Sequence, residues 1–287
     1  MPAVTSIIDG GLGNQMFQYA AARALSLRLG ANLVLDLRRL NQRGHRAFDL
    51  AGFALASNHR TLTAGRPPKP PGRLKRLVRS TLGIRDYFHE TSFPFNPSVF
   101  NLSAPVTLDG YFQSERYFTE QAEVIRGDFQ PATSHARAIE RLTHRLIPAG
   151  PSVSLHVRRG DYVEAKNQSV HGLTPLAYYE RALAMLVEQL HAMPTVCVFT
   201  DDPAWVRAHL PLPADTRYIS EQTASALEDM LLMSRCSHHI TANSSFSWWG
   251  AWLNPHPAKI VITPAQWFQP SSGLDTRDLR PASWLTA

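Results

Sequence analysis

The pattern of hydrophobic and polar positions at the start of the chain predicts a strand, a helix and a second strand. The β-rich run AVTSIID is closed by Gly10, Gly11 and Gly13, and the run NLVLDL reads as a second strand. Between these runs, apolar residues recur at helical spacing from about Asn14 to a stop at Gly30. They are Phe17, Ala20, Ala21, Ala24, Leu25 and Leu29. The order strand, glycine loop, helix, strand predicts a βαβ unit in a parallel sheet.

The pattern is irregular from Asn41 to about Pro105 and becomes regular in the second half of the chain. VTLDGYFQ reads as a strand, and SERYFTEQAEVIRGDF as a helix capped by Ser114. Later strands are predicted at SVSLHV, TVCVFT, TRYIS, HHITAN and KIVITP. Helices are predicted from Thr174 and Pro175 to about His191, and in DDPAWVRAHL, ASALEDMLLMSRC and SSFSWWGAWL.

This β-α alternation predicts an α/β fold of two Rossmann-like domains with a boundary near Ala149. The domains would be residues 1–149, with an insertion at about 51–85, and residues 150–287. A chain of 287 residues suits two cores of about 100–150 residues each. Because ligands of open α/β sheets bind beyond the carboxyl ends of the strands, we expect the active site in a cleft between the domains.

Composition and cysteine content are those of an ordinary globular protein, with 44% hydrophobic and 18% charged residues. No apolar run approaches the roughly 20 residues that span a bilayer. The N-terminus lacks the basic-then-apolar pattern of a signal peptide, which predicts a cytoplasmic protein that is complete at this end. The only cysteines, Cys197 and Cys236, lie in apolar contexts and are predicted to be buried free thiols.

The positive charge is concentrated in one segment. The net charge is +6 and the sequence pI is 9.6. No acidic residue occurs from Ala51 to Arg85, whereas this stretch holds Arg60, Arg66, Lys69, Arg73, Lys75, Arg76, Arg79 and Arg85. Within it, residues 72–85 predict an amphipathic helix that docks peripherally on an anionic inner-membrane surface. The alternative is a solvated face or a helix packed on the first domain. The localised charge and the lack of a recognition motif argue against nucleic-acid binding.

The stretch SVSLHVRRGDYV ends a predicted core strand in a cationic pair. Side chains alternate along a strand, so His156 and Arg158 point one way while Arg159 points the other. An arginine fork at a strand end suits a diphosphate, because its planar donors bind two oxygens at fixed geometry. Asp161 is a candidate to hold an arginine in place. A buried Arg–Asp pair without a ligand explains the same residues.

The loop GGLGNQMFQ favours an anion near the start of the first helix. Glycines let backbone N–H groups approach a phosphate at the positive end of the helix dipole. The dinucleotide fingerprint needs a third glycine where Met16 stands, which argues against a dinucleotide-dependent oxidoreductase. Asn14 and Gln15 instead place amides at the helix start, although Asn14 acting as the helix N-cap is an equally simple explanation.

Two further strand ends carry polar residues. Paired Asp201 and Asp202 suggest a divalent metal, but their spacing is not D-x-D and one of them suits a helix N-cap. A strand-end aspartate that accepts two hydrogen bonds from a guanine edge is the preferred interpretation. In TANSSFSWWGAW, Asn243, Ser244 and Ser245 form a candidate anion cradle before a helix. The tryptophans that follow are interpreted as core.

Together, these segments indicate a transferase that acts on a nucleotide diphosphate without a required metal. Arginine and helix N-termini can neutralise a leaving diphosphate. His238 and His239 are adjacent on a predicted strand and therefore cannot share an ion. No metal site is expected.

Five segments, in this order and at these distances, closely resemble glycosyltransferase family 11, the α-1,2-fucosyltransferases. They are GGLGNQMFQYA, DGYFQSERYF, HVRRGDY, FTDDPAW and ANSSFSWWGAWL. The resemblance implies a GT-B fold with an acceptor-side first domain and a donor-binding second domain. It implies inverting transfer of L-fucose from GDP-β-L-fucose to the 2-hydroxyl of a galactose-terminated glycan, which includes lipid-linked acceptors of bacterial surface polysaccharide synthesis. It implies no metal and no cofactor.

The resemblance also assigns roles to residues of this chain. Arg158 would bridge the β-phosphate, and His156 with Asp201 or Asp202 would contact the guanosine. Residues 243–246, Asn243 to Phe246, would hold the pyrophosphate from helix-start N–H groups. Asn14, in the donor-binding loop with Gly11, Gly13 and Gln15, would lie near the reacting bond. No general base stands out, and Asp161 is the candidate nearest in sequence to Arg158. A transferase that uses another nucleotide-sugar donor is the alternative.

Overall fold

The computed structural model describes residues 1–43, 46–68, 70, 72, 86–160, 170 and 172–287. These residues divide into two compact units. The first comprises Met1–Ala132 with Asp275–Pro281, and the second comprises Thr133–Leu274 with Ala282–Ala287. The division therefore differs from the predicted boundary near Ala149. The helix before that boundary groups with the second unit because Leu146 packs in the same core cluster as Cys197 and Phe199.

A five-stranded parallel sheet forms the first unit, in the order β3-β2-β1-β5-β4. The strands are β1 Ala3–Ile7, β2 Asn32–Asp36, β3 Arg60–Leu62, β4 Tyr87–His89 and β5 Val106–Asp109. The helices are α1 Leu12–Leu29, α2 Arg38–Arg43 and α3 Ala122–Asp128. Short 3-10 turns lie at Asp49–Gly52, Pro97–Asn101, Glu115–Tyr117 and Thr119–Gln121. The predicted βαβ unit is thus present as β1, α1 and β2.

Two elements of the first unit differ from the sequence prediction. β3 and β4 lie in the stretch predicted to be irregular, and each is only three residues long, too short to show a period of two. The segment after Ser114 forms two 3-10 turns before α3 instead of one helix. The adjacent side chains of Tyr117 and Phe118 are both buried, with Phe118 6.2 Å from the ring of Phe17. A regular helix would point these neighbours in different directions.

A six-stranded parallel sheet forms the second unit, in the order β11-β10-β9-β6-β7-β8. Its strands are β6 Ser152–Val157, β7 Thr195–Thr200, β8 Arg217–Tyr218, β9 His238–Ile240, β10 Val261–Thr263 and β11 Leu285–Thr286. Its helices are α4 Thr133–Leu146, α5 Leu176–Leu190, α6 Pro203–His209, α7 Ala226–Met233 and α8 Ser245–Leu253, with a 3-10 turn at Pro270–Ser272. The repeated alternation predicted for this half is confirmed.

The core of the second unit is built on its central strand. All six residues of β6 are buried, as expected for a strand covered on both faces of a parallel sheet. The tryptophans of α8 are buried, and the rings of Trp248 and Trp249 lie 5.0 Å apart, which confirms their interpretation as core. Cys197 and Cys236 are buried free thiols, as predicted. No helix in the described ranges is long and apolar enough to cross a membrane.

His239 is a buried neutral histidine that links three parts of this core. Its Nδ1 lies 2.7 Å from Ser154 Oγ, and its Nε2 lies 2.9 Å from Asn254 Nδ2. Asn254 Nδ2 donates to the carbonyl of Cys236, and Asn254 Oδ1 accepts a backbone N–H from His256, which fixes the orientation of the amide. His239 Nε2 is therefore the acceptor and Nδ1 carries the proton. Burial, with the nearby Lys259 cation, holds the pKa of His239 well below its usual value.

We expect this histidine to make the protein less stable in mild acid. The unfolded chain binds a proton near pH 6.5, whereas the folded chain cannot, so the stabilisation is complete above that pH and is lost as the pH falls. The loss is up to about 1.4 kcal/mol per pH unit. Urea unfolding at pH 7.5, 6.5 and 5.5 should show the free energy of unfolding falling with pH. The fall should be smaller in His239→Asn, whatever the stability of that variant at pH 7.5. An equal fall in the two proteins would contradict the buried neutral state of His239.

Candidate functional site

The carboxyl end of β6 places two arginines in different surroundings. Arg158 Nη1 lies 2.6 Å from Asp201 Oδ2, at the end of neighbouring strand β7. Arg159 Nε lies 3.1 Å from Asp202 Oδ2, and its guanidinium carbon lies 3.9 Å from the centre of the Trp205 ring. Arg159 is thus held by a stacking ring and a helix cap. Arg158 pairs with the strand-end carboxylate of Asp201, and its side chain is 29% exposed.

His156 lies just behind Arg158 and is short of a hydrogen-bond partner. It is only 5% exposed, and its Nδ1 has no hydrogen-bond partner among the residues that the structure describes. Its ring lies 5.5 Å from that of Phe246, in the first turn of α8. Burial, together with the adjacent Arg158 cation, lowers the pKa of His156 to about 3, so the ring is neutral at pH 7. Because buried polar atoms are normally paired, this nitrogen is an exception within the described part of the chain.

Both predicted guanine-binding aspartates are already engaged with the protein. Asp201 accepts the backbone N–H of Arg159 at 2.9 Å in addition to its pair with Arg158. Asp202 Oδ1 accepts the N–H of Trp205 at 3.1 Å as the N-cap of α6, and its other oxygen binds Arg159. The predicted N-cap role of one aspartate is therefore present. Each carboxylate has acceptor sites beyond these contacts, and the side chains of Asp201 and Asp202 are 25% and 38% exposed, so the predicted contact with guanine stays a prediction.

Gly160 makes the approach of Asp201 possible. A Cβ atom at this position would lie 2.5 Å from Asp201 Oδ2, closer than side-chain atoms normally approach. Glycine is therefore needed after the two arginines, because a side chain there would displace the Asp201 carboxylate that pairs with Arg158. Asp161, the next residue, lies outside the described residues, so its predicted pairing with an arginine stays a prediction.

The start of α8 contains one capping residue and one structural amide. Ser244 is the N-cap, and its hydroxyl accepts the N–H of Phe246 at 3.3 Å. The Asn243 side chain is buried and faces other loops: Oδ1 accepts from Thr174 at 2.9 Å, and Nδ2 donates to the carbonyls of Gly172 and Trp267. Its amide is thus occupied by the protein. The predicted contribution of residues 243–246 to pyrophosphate binding rests on backbone N–H groups and on Ser245.

Sequence reasoning missed Asp229, a partly buried carboxylate in the first turn of α7. Its oxygens accept from Ser220 at 2.7 Å and from Thr223 at 2.6 Å. Ser220 Oγ in turn accepts the backbone N–H of Thr200, directly before Asp201. Burial raises the pKa of Asp229, although the two hydroxyl bonds oppose the shift. Asp229 therefore positions the end of β7. The available signal was an acidic residue in a helix first turn, and that pattern is common.

The side-chain amides of Asn14 and Gln15, at the glycine loop of the first unit, have different roles. Gly11 is the N-cap of α1 without a side-chain capping bond, so the proposed capping by Asn14 is wrong. Gln15 is fully buried and structural: its Nε2 donates to the carbonyls of Gly10 and Ala47, and its Oε1 accepts the N–H of Asp49. Gln15 is therefore not available as a side-chain ligand, and Gly13 is buried in the first turn.

Asn14 lies over Gly10, where only glycine fits. Gly10 has φ +81°, and a Cβ atom there would lie 2.8 Å from Asn14 Nδ2. Asn14 Oδ1 accepts a hydrogen bond of 2.7 Å from Gln113. The loop thus holds Asn14 beside the segment that follows β5. Its predicted place near the reacting bond stays a prediction.

Two predictions fall wholly or mainly outside the described residues. The amphipathic helix at 72–85 is one of them, since only residue 72 of that range is described. The other is the role of Asp161 as a base. Within the described part of the chain, no group of three or more His, Cys, Asp or Glu side chains could hold a metal ion.

Comparison with known proteins identifies a family and several relatives. The family model described as glycosyl transferase family 11 matches residues 3–272. An alpha-1,2-colitosyltransferase of Escherichia coli is 34% identical over 99% of both chains. The O-antigen biosynthesis glycosyltransferase WbnK of Escherichia coli is 32% identical over 98% of this chain and 99% of its own. Galactoside alpha-(1,2)-fucosyltransferase 1 of Saimiri boliviensis boliviensis is 28% identical over 85% of this chain and 63% of its own.

Solved structures agree on the fold. The NodZ alpha-1,6-fucosyltransferase soaked with GDP-fucose superposes with a TM-score of 0.51 at 18% identity, covering 88% of this chain and 93% of its own. The FUT1 protein of Arabidopsis thaliana in complex with GDP superposes with a TM-score of 0.56 at 14% identity, covering 99% and 76%. The α/β fold with two parallel sheets is therefore of the predicted GT-B type.

Proposed function

Because the chain belongs to glycosyl transferase family 11, we propose that it transfers L-fucose, with inversion, from GDP-β-L-fucose to the 2-hydroxyl of a galactose residue. Membership of the family makes the chain a glycosyltransferase. The donor, the acceptor and the stereochemistry are the proposal.

One observation supports the donor site most strongly. The buried His156, whose Nδ1 has no partner among the described residues, is acted on by the Arg158 cation and lies 5.5 Å from the ring of Phe246 in the first turn of α8. A nucleoside hydroxyl or N–H group would supply the missing donor, since this neutral nitrogen is an acceptor when Nε2 carries the proton. Arg158 and the helix N-terminus would then face the diphosphate, whose charge grows as the sugar leaves.

A second donor is favoured by one relative, the alpha-1,2-colitosyltransferase that matches along 99% of this chain. Colitose lacks the 3-hydroxyl of fucose and otherwise has the same ring. A site that hydrogen-bonds this hydroxyl rejects the deoxy sugar by about 10⁴-fold, whereas an apolar contact there discriminates far less. GDP-colitose is therefore the alternative donor.

The proposed acceptor is a galactose-terminated glycan of bacterial surface polysaccharide, free or carried on a lipid. A WbnK relative named for O-antigen biosynthesis supports this setting, and a galactoside alpha-(1,2)-fucosyltransferase relative supports the acceptor sugar and linkage. Peripheral docking through residues 72–85 on the cytoplasmic face of the inner membrane belongs to the same proposal. It has the concentrated positive charge of that segment in its favour.

A competition assay tests the donor and the acceptor together. Purified protein is given equal GDP-fucose and GDP-colitose with a panel of β- and α-linked galactosides, and products are separated by mass. A dominant fucosylated β-galactoside supports the first proposal, and a dominant colitosylated one supports the second donor. Absence of both products across the panel overturns the acceptor assignment.

We also expect turnover to continue in excess EDTA. Arg158 and the N-terminus of α8 offer positive charge to the leaving diphosphate, which is the task a divalent ion performs in metal-dependent transferases. The measurement is the initial rate with EDTA, then with added Mg²⁺ or Mn²⁺. Loss of the rate in EDTA, with recovery on adding an ion, would make Asp201 and Asp202 the first candidates for its ligands.

A further inference from the structure

Tyr111 is an exposed aromatic residue beside the glycine loop. It follows β5 in the segment Gly110–Gln113, and 39% of its surface is exposed. Tyrosine is among the residue types that contribute most to binding when a ligand or partner covers them.

The turn that carries Tyr111 is held by a partly buried carboxylate, that of Glu90. Glu90 Oε2, just beyond β4, accepts the backbone N–H of Tyr111 at 2.7 Å and that of Phe112 at 3.1 Å. A Cβ atom at Gly110 would lie 2.4 Å from Glu90 Cβ, so only glycine admits this approach. Phe112 has φ +55°, which a residue without glycine's freedom adopts only under such constraint. Tyr111 is therefore displayed on a preorganised turn.

The hydroxyl of Tyr111 lies among charged side chains. Burial and the Asp9 carboxylate raise its pKa, and the Arg43 guanidinium opposes this shift. Arg43 forms an ion pair with Asp9, at the end of β1. Asp9 Oδ1 accepts the N–H of Gly10 at 2.9 Å. The hydroxyl of the exposed ring thus interacts with two charged side chains near the glycine loop.

The residue at the end of the Tyr111 turn, Gln113, also contacts the glycine loop. Gln113, two residues after Tyr111, donates to Asn14 Oδ1 at 2.7 Å. The amide of Asn14 lies against Gly10. These contacts join the Tyr111 turn to the start of α1, while 39% of the surface of Tyr111 stays exposed.

The arginines here are neutralised, which favours an uncharged ligand. Every arginine of α2 is paired with a strand-end carboxylate: Arg38 with Asp36, Arg39 with Asp109 and Arg43 with Asp9. Asp109 also accepts from Tyr87, and these bonds outweigh its burial and hold the pKa of Asp109 below the usual range. A diphosphate gains little from arginines whose charge is cancelled, whereas sugar hydroxyls can donate to the carboxylates and accept from the amides.

We propose that Tyr111 is the stacking platform for the acceptor sugar, a β-galactopyranoside. The axial 4-hydroxyl of galactose leaves an apolar C–H face on one side of the ring, and such a face suits the negative face of an aromatic side chain. The Asp9–Arg43 pair and the Asn14–Gln113 amides meet hydroxyls at the edge of the sugar. The assignment rests on the proposed function, since it takes the acceptor to be a galactoside.

Two variants and one control test the platform. Tyr111→Ala should raise the KM for the galactoside by about tenfold or more, because the stacking face is lost. Tyr111→Phe keeps the face and should stay within about threefold of the wild type. The KM for the donor should be unchanged in both. Val124→Ala removes apolar surface from a residue that is likewise 39% exposed in the same unit, and should change neither KM.

Direct binding separates this inference from the proposed function. In saturation-transfer NMR with GDP present, methyl β-galactoside should receive saturation from the wild type and from Tyr111→Phe, and little from Tyr111→Ala at equal melting temperature. This result supports the platform even if no fucose or colitose is transferred. An unchanged galactoside KM or saturation signal in Tyr111→Ala overturns it, as does a parallel fall in GDP affinity.

Discussion

Arg158→Ala should reduce kcat by about 10³-fold or more, on the scale seen when an enzyme loses a preorganised electrostatic donor. The guanidinium is oriented by Asp201 at 2.6 Å, so its fork is held ready for the charge that develops on the leaving diphosphate. Arg158→Lys should restore little, because a single ammonium cannot reproduce two fixed donors. Single-turnover rates at saturating donor measure the effect.

Arg159 is the matched control for this prediction. It has the same chemistry one residue along, but it stacks on Trp205 and binds the cap of α6. Arg159→Ala should lower stability by about 1–3 kcal/mol and change kcat by less than about tenfold at a temperature where the variant is folded. Near-normal turnover in Arg158→Lys, or a larger rate loss in Arg159→Ala than in Arg158→Ala, would contradict the assignment.

Asn243→Ala should destabilise the protein by about 3 kcal/mol even when no nucleotide is present. The substitution leaves two buried carbonyls, those of Gly172 and Trp267, and the hydroxyl of Thr174 without their partner. Asn243→Asp should be at least as harmful, because a carboxylate would face the same two carbonyl oxygens. Urea unfolding of the ligand-free protein measures both.

Asn96→Ala provides a comparison in the first unit. Asn96 makes one side-chain bond, from the N–H of Ser98 at 3.0 Å, as the N-cap of a 3-10 turn. Its removal should cost about 1 kcal/mol. If Asn243→Ala costs no more than Asn96→Ala and instead weakens only GDP binding, then Asn243 acts through the ligand and not through the loops that it joins.

The elements that could be predicted from the sequence are those with long, regular patterns. The β-rich run before Gly10 and the helix that stops at Gly30 were predicted, and both are present as β1 and α1. β3 and β4 could not be predicted, because three-residue strands carry no period and the residues of β3 are all exposed. α4 was overlooked although Ile139 and Leu146 are buried at helical spacing.

For the candidate site, the positions of the polar residues could be predicted from the sequence, but their contacts could not. The positions of polar residues at strand ends follow from sequence order, so Arg158, Asp201 and Asn243 were found. What each side chain binds depends on contacts between residues far apart in the chain, such as Asn243 with Gly172 and Trp267. For this reason, the buried side-chain bonds of Gln15 and Asn243 could not be predicted, and Asp229, whose partners Ser220 and Thr223 precede its helix, was missed.

The linkage and configuration of the product test directly whether the protein transfers L-fucose with inversion to the 2-hydroxyl of galactose. Wild-type protein is incubated with GDP-β-L-fucose and a β-galactoside, and the purified product is examined by two-dimensional NMR. We expect one new α-configured sugar attached through O-2 of galactose, with GDP released in equal amount. A β-configured product, attachment at another hydroxyl, or release of free fucose without transfer would contradict it.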